Sequence, residues 1–254
     1  MATVARFNVA PVKSTSLQHP DAIDLGRNGV EADRRFLFIG VDGKRISGGG
    51  KVALLGIRST FDEDGDRLTL ELPDGTRAEG DAAPAGEEIH VTLFDREVGA
   101  RRVPGPFDAA VSRLLDRDVM LVRVEHPERS GGVHPVSIVS SASVEELGRR
   151  AERETPDPRR FRMLVELDGC APHEEDVWTG SRLRMGGAIV RVGAGVPRCV
   201  LTTMHPDTGE PDFPALEVLA TYRRREGELL FGVYADVEEP GRVRVGDAVE
   251  VLGD

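Results

Sequence analysis

The stretch from Gly195 to Glu210 carries one cysteine, Cys199, between Arg198 and a short apolar run, and this is where the chain can do chemistry. A neighbouring cation favours the thiolate, the form that acts as a nucleophile or as a ligand to a soft metal. Two readings are open, because a lone cysteine in an apolar run also serves as a small buried hydrophobe. Consecutive strand residues point to opposite faces, so Arg198 and Cys199 can share a ligand only where the chain is irregular, and Pro197 supplies a reason for that. Cys170 has no such cationic neighbour and reads as structural. Lys13-Ser14 places a cation and a hydroxyl at a strand end, and arginines cluster at 34–35 and again at 159, 160 and 162, each time next to a strand. Guanidinium groups bind planar oxyanions in two-pronged fashion, although such pairs also serve as plain surface charge. If Lys13, Ser14 and one arginine of each cluster converge on Cys199, they form a pocket for an anionic ligand beside a thiolate, suited to a cofactor rather than to hydrolysis.

Other candidates are weaker. His173-Glu174-Glu175-Asp176 offers metal-capable side chains, but their spacing fits neither zinc nor calcium, and a solvated loop is expected. Glycines 48 to 50 read as a flexible turn rather than a phosphate cradle. No G-x-S-x-G, phosphate-binding loop, G-x-G-x-x-G or C-x-x-C is present, which removes the usual support for serine hydrolases, nucleotide hydrolases, dinucleotide enzymes and zinc ribbons.

The elements that must position these groups are mostly strands. Val4–Ala10, Phe36–Val41, Val52–Thr60, Arg67–Leu72 and Ile89–Phe94 are short, turn-separated apolar runs. Phe107–Leu115 has helical spacing and Val119–Val124 returns to strand. After a Pro/Gly-rich loop, Glu125–Pro135, comes a strand at 136–139, and Ser143-Val144-Glu145-Glu146 has the pattern of a capping box opening a second helix that fades by Thr155-Pro156. Met163–Leu167 and Ala188–Val192 are strand candidates, Pro214 opens a third helix, and Leu229–Val237 and Arg242–Leu252 are strands again. Up to about residue 104 the chain reads as nearly pure β, at the strand spacing of a sandwich or barrel, and the whole as a β-rich α+β protein with any boundary near residues 100 to 135.

The chain has 254 residues, 39% of them hydrophobic, enough for a full core without staples. A net charge of -11 argues against nucleic acid or an anionic membrane as the main partner. Only Lys13, Lys44 and Lys51 among the 33 basic residues are lysines, which reads as coding bias. Two cysteines are too few for a secreted disulfide scaffold, and no apolar run approaches bilayer length, so the cytoplasm is the expected compartment.

Several stretches together resemble the MOSC domain proteins, named for the C-terminal domain of molybdenum cofactor sulfurase. Pro11-Val12-Lys13-Ser14 and Asp33-Arg34-Arg35-Phe36 look like the N-terminal domain of that family. Arg160-Phe161-Arg162, Glu174 to Trp178, Pro197-Arg198-Cys199, Thr202-Thr203, Asp207-Thr208-Gly209 and Pro240 to Asp247 look like the MOSC domain itself. The resemblance implies an α+β, β-rich fold with an N-terminal β-barrel-like domain at 1–104 packed on a MOSC β-barrel with a few helices at 105–254, and molybdenum cofactor (molybdopterin) with Cys199 as catalytic molybdenum ligand and Lys13, Ser14, Arg34, Arg160, Arg162 and Arg198 around the pterin phosphate. It implies an oxidoreductase acting on N- or S-oxygenated small molecules, as in amidoxime reducing components, with a separate electron-donor protein. Pyridoxal phosphate is not expected. The chain departs from the family's Phe-Arg-Pro-Asn by reading Phe161-Arg162-Met163-Leu164, and from an Arg-Gln pair by reading Ser47 to Lys51. Those departures keep two other readings in view. One is a metal-free sulfur-transfer protein carrying a Cys199 persulfide loaded by a cysteine desulfurase; the other is a cofactor-free binding module for a small anion.

Overall fold

A computed structural model describes residues 1–46, 49–93, 96–124 and 134–252. The N-terminal part contains β1 (Thr3–Phe7), β2 (Ala22–Leu25), β3 (Phe36–Gly40), α1 (Gly49–Leu55), β4 (Arg58–Asp62), β5 (Arg67–Glu71), β6 (Arg77–Asp81), β7 (Ala85–Leu93), β8 (Arg96–Arg102), α2 (Phe107–Leu115) and β9 (Val119–Val124). Strands β3, β9, β8 and β7 form one antiparallel sheet and β4, β5 and β6 another. Phe36, Phe38, Leu68, Leu70 and Leu121 pack between them, and α2 adds Phe107, Ala110 and Val111 from its apolar stripe. Strand β3 is buried along its whole length, because Leu37 and Ile39 on its other face join Val91, Val98 and Val122 in a separate cluster.

The second part contains β10 (Val136–Ser140), α3 (Ser141–Arg150), the 3-10 turn η1 (Pro158–Phe161), β11 (Val165–Asp168), α4 (Glu174–Val177), β12 (Arg182–Met185) and β13 (Ala188–Pro197). It continues with the 3-10 turn η2 (Val200–Thr203), α5 (Ala215–Tyr222), β14 (Arg224–Arg225), β15 (Glu228–Glu239), β16 (Gly241–Arg244) and β17 (Val249–Leu252). The sheet order is β1-β11-β10-β15-β13-β12-β17. Its two ends meet: Thr3 bridges Ala248, and the amides of Val4 and Val249 donate to Asp247 and Ala2 at 2.9 and 2.8 Å. The result is a nearly closed barrel, which removes exposed sheet edges. Val4, Phe7, Ile138, Leu167, Leu183, Val190 and Val233 fill it. Among the described strands only β10 and β11 run parallel, and α3 with η1 makes the crossover that such a pair needs. Pairing does not follow chain order: β1 and β2 pair with β11 and β16, while β9, beyond residue 104, pairs with β3 and β8, and α2 packs on β9 and β6.

Some expectations needed revision. Val52–Thr60 is not one strand but α1 followed by β4, since a run of four apolar residues fits either state. Gly56 divides them because Pro73 lies where its Cβ would stand, at 2.8 Å. Gly49 and Gly50 begin α1 instead of a turn, while Ser47 and Gly48 lie outside the described residues, as do 125–133 of the Pro/Gly-rich loop. Helix α3 is capped by Ser140, whose Oγ accepts from the amide of Ser143 at 3.2 Å, because β10 runs straight into the helix. The stretch Glu174–Asp176 is no solvated loop. It forms α4, and buried Glu175 accepts from the Oγ atoms of Ser140 and Ser143 at 2.9 and 2.8 Å, so burial raises its pKa while these bonds oppose the rise.

Candidate functional site

The segment from Asn8 to Thr15 ties the barrel to the other sheets. The amide of Asn8 donates to Leu164 at 2.9 Å on the barrel side, and that of Lys13 donates to Phe36 on β3 at 2.7 Å. The Thr15 hydroxyl donates to Val12 at 2.7 Å and closes a tight turn in which Ser14 takes a left-handed backbone, φ 71°. Arg34 emerges from the neighbouring turn with φ 55°, and Arg162 caps η1 with φ 52°. Left-handed backbone costs a non-glycine residue free energy and concentrates where a site over-determines geometry. Three of the eight non-glycine residues with positive φ among those described are these three.

All three line one cavity of about 200 Å³ together with Lys13, Arg198 and Cys199. The irregularity expected at Pro197 is present: the pairing of β13 with β15 shifts register between Gly195 and Pro197, and Arg198 and Cys199 both reach the cavity beyond it. Cys199 is exposed, with extended backbone, and its carbonyl accepts from the amide and hydroxyl of Thr202 at 3.0 and 2.9 Å. The thiol is therefore presented outward while its backbone is fixed. Val30, Phe161, Met163, Leu164, Val196 and Leu201 make the cavity otherwise apolar.

Arg162 and Arg198 are held by neutral acceptors, and Arg34 by a neutral acceptor and one carboxylate. Arg162 donates to the Thr15 carbonyl at 2.8 Å; Arg34 donates to the Arg162 carbonyl at 2.8 Å and pairs with Asp33. Arg198 donates to the carbonyls of Phe231 and Phe161 at 2.9 and 3.0 Å and to the Met163 sulfur at 2.7 Å. Burial, then the Arg34 charge, pushes Arg162 down to about 9, and burial pushes Arg198 down to about 10. No carboxylate among the described residues forms an ion pair with either. Four cations thus line the cavity against a single carboxylate, Asp33. Such charges are costly until an anion arrives.

Arg160 is placed differently from the other expected cofactor residues. It does not line this cavity but lies buried below it, donating to both carboxylate oxygens of Asp212 at 2.9 and 2.8 Å and to the carbonyls of Thr202, Met204 and Asp157. Arg35 and Arg159 pair with carboxylates, Glu31 at 2.7 Å for the first, Asp157 and Asp207 for the second. One arginine of each cluster, Arg34 and Arg162, is left for the cavity. Cys170 is half-buried, and burial with the Glu174 charge pushes its thiol up to about 12, consistent with an inert structural role.

The sequence reading missed Asn28, His134 and Tyr234, which also line the cavity. Their signals were weak: His134 sits at the end of a loop, and Tyr234 lies mid-strand among apolar residues.

Residues 126–250 match the family model of the MOSC domain. Mitochondrial amidoxime reducing component 2 of Bos taurus is 28% identical over 98% of this chain and 83% of its own length. Mitochondrial amidoxime-reducing component 1 of Homo sapiens is 29% identical over 100% of this chain and 84% of its own. Molybdenum cofactor sulfurase of Oryza sativa subsp. japonica is 24% identical over 91% of this chain and 32% of its own. The crystal structure of the YUAD protein from Bacillus subtilis superposes with a TM-score of 0.51 over 99% of this chain and 96% of that one, at 18% identity, which shows a shared fold. The matched span runs from β10 to β17 and carries both Phe161–Leu164 and Pro197–Cys199 at the cavity wall, so the part of the chain that presents Cys199 matches the MOSC domain.

Proposed function

We propose that this chain is a molybdenum-cofactor-binding oxidoreductase that reduces N- or S-oxygenated small molecules, of which amidoximes are the class that its relatives' names point to. The observation that carries the proposal is an exposed thiol in one cavity with two guanidiniums that have no carboxylate partner among the described residues. The donor set fits the group: a soft thiolate suits molybdenum, and fixed cations suit a phosphate. In this reading Cys199 is the metal ligand, Arg162 and Arg198 hold the phosphate with Lys13 and Arg34, and Ser14 donates from its left-handed turn. Arg160 acts through the backbone it holds. Met163 takes the place of a polar contact, since its thioether already accepts from Arg198. When bound, the cofactor supplies two-electron oxygen exchange, and a separate protein supplies the electrons.

Metal and pterin analysis of protein made in a host with an intact cofactor pathway tests this. Near one molybdenum per chain is expected in wild type and almost none in Cys199→Ser; wild type free of both molybdenum and pterin refutes it. The exposure of Cys199 also favours a second reading, sulfur transfer by a Cys199 persulfide. Labelled sulfur loaded by a cysteine desulfurase onto wild type but not Cys199→Ser would support that reading. The division into 1–104 and 105–254 belongs to the same proposal. Limited proteolysis between 104 and 135 should leave the fragments associated, because β1 pairs with β11. The cytoplasm is the proposed compartment; no helix among the described residues is long and apolar enough to cross a membrane.

A further inference from the structure

The cavity has a wall that the cofactor reading leaves without a task. His134 precedes Pro135, which confines its backbone to extended conformations. The turn at Gly26–Gly29 packs on this pair: a Cβ on Gly29 would come within 3.0 Å of the Pro135 carbonyl. The His134 Nδ1 lies 2.9 Å from Oδ1 of Asp236 on β15, and its ring lies 5.0 Å from that of Tyr234, two residues earlier on that strand. His134 is 26% exposed and Asp236 60%, so the imidazole connects the cavity to solvent. One ring nitrogen is committed to a carboxylate, which fixes the tautomer and leaves Nε2 of this cavity-lining ring for a ligand.

Resting on the amidoxime-reduction reading above, we propose that His134, oriented by Asp236, is the proton donor to the oxygen that leaves the substrate. Amidoxime reduction breaks the N–O bond and consumes two electrons and two protons. The electrons come from the external one-electron donor. The leaving hydroxide takes the Nε2 proton of the His134 imidazolium, which is left as the Nδ1–H tautomer facing Asp236, and departs as water; the nitrogen takes a second proton from solvent, and the amidine remains. His134 is reprotonated through its solvent-exposed side. The charged and titratable groups that face it are Asp236 and Tyr234 on β15, Lys13, Arg34, Arg162, Arg198 and Cys199 around the cavity, and Arg191, the register partner of Asp236 on β13, which is engaged by Glu238.

The test has two independent readouts. In the first, ¹⁵N-histidine NMR of the full chain should show that the neutral form of His134, the form left after donation, is the Nδ1–H tautomer, that this preference is lost in Asp236→Ala, and that the His134 ring signals shift on adding benzamidoxime. A tautomer indifferent to Asp236→Ala, or ring signals indifferent to benzamidoxime, overturns the proposal whatever the metal content. In the second, His134→Gln loaded with cofactor and driven by a viologen reductant should lose at least tenfold in kcat, with KM within about twofold and molybdenum content unchanged. Added imidazole should restore activity to His134→Ala, which a merely structural role would not allow. Wild-type kcat in His134→Gln overturns the proposal. A wild-type chain without molybdenum sinks the proposed function instead, and the NMR readout still decides the role of His134.

Discussion

Replacing Arg160 with methionine separates a scaffold role from a role in binding. The guanidinium makes two bonds to Asp212, at 2.9 and 2.8 Å, and others to the carbonyls of Asp157, Thr202 and Met204 at 3.1, 3.2 and 3.4 Å, joining η1 to η2 and to the loop beyond. Its side chain is 2% exposed, and it lies 5.2 Å from the Phe213 ring. Methionine keeps the stem packing and loses every polar contact. Breaking a fully buried pair costs about 3–5 kcal/mol. Asp212 is 32% exposed and water can take over part of its solvation, so the expected loss is about 2–3 kcal/mol. At roughly 2–4 °C per kcal/mol for a chain of this size, Tm should fall by about 4–12 °C. The pH dependence follows from Asp212, whose carboxyl is held below its ordinary value first by the Arg160 hydrogen bonds. A depressed folded pKa gives stability that is fully present above the unfolded value of 3.8 and is lost as pH falls through the lower folded value. Thermal melts should therefore show a constant gap between wild type and Arg160→Met from pH 8 to about 5, closing below about pH 4. A variant that melts within about 1 °C of wild type at pH 7 while losing anion binding would refute the scaffold reasoning.

Alkylation with iodoacetamide at pH 8 should add one group, mapped to Cys199, because a Cys170 thiol pushed up to about 12 is ionised on the order of one part in ten thousand there; intact mass and peptide mapping check this. Pyrophosphate at about ten times its Kd should stabilise wild type by about 1.4 kcal/mol, raising Tm by about 3–6 °C, whereas Arg162→Met should shift by under about 1 °C. Glu175→Leu leaves the amide of Ser140 and two hydroxyls without their acceptor and should cost about 3 kcal/mol in urea titration. The Glu175 carboxyl is raised by burial, so its stabilisation is present below the unfolded value of 4.5 and is lost as pH rises through the folded value; the Glu175→Gln penalty should narrow over that rise.

Strand periodicity and turn residues determined β3, β5, α2 and β9 nearly to the residue, because each has one clear local pattern. Residue chemistry picked out Cys199, Lys13, Ser14 and one arginine of each cluster, since a thiolate and clustered cations have few other uses together. The sequence could not say which arginine of a cluster lines the cavity. Arg34 and Arg35 are adjacent, as are Arg159 and Arg160, and only the positions of Asp212, Asp157, Asp207 and Glu31 decide which charges are spent on carboxylates. The wall of His134 and Tyr234 was equally hidden, because it depends on β10 and β15 pairing residues 95 or more positions apart. Charge type and periodicity are local properties and can be read along the chain. Compensation of a charge and closure of a cavity depend on distances between segments remote in sequence, and only the tertiary structure sets those.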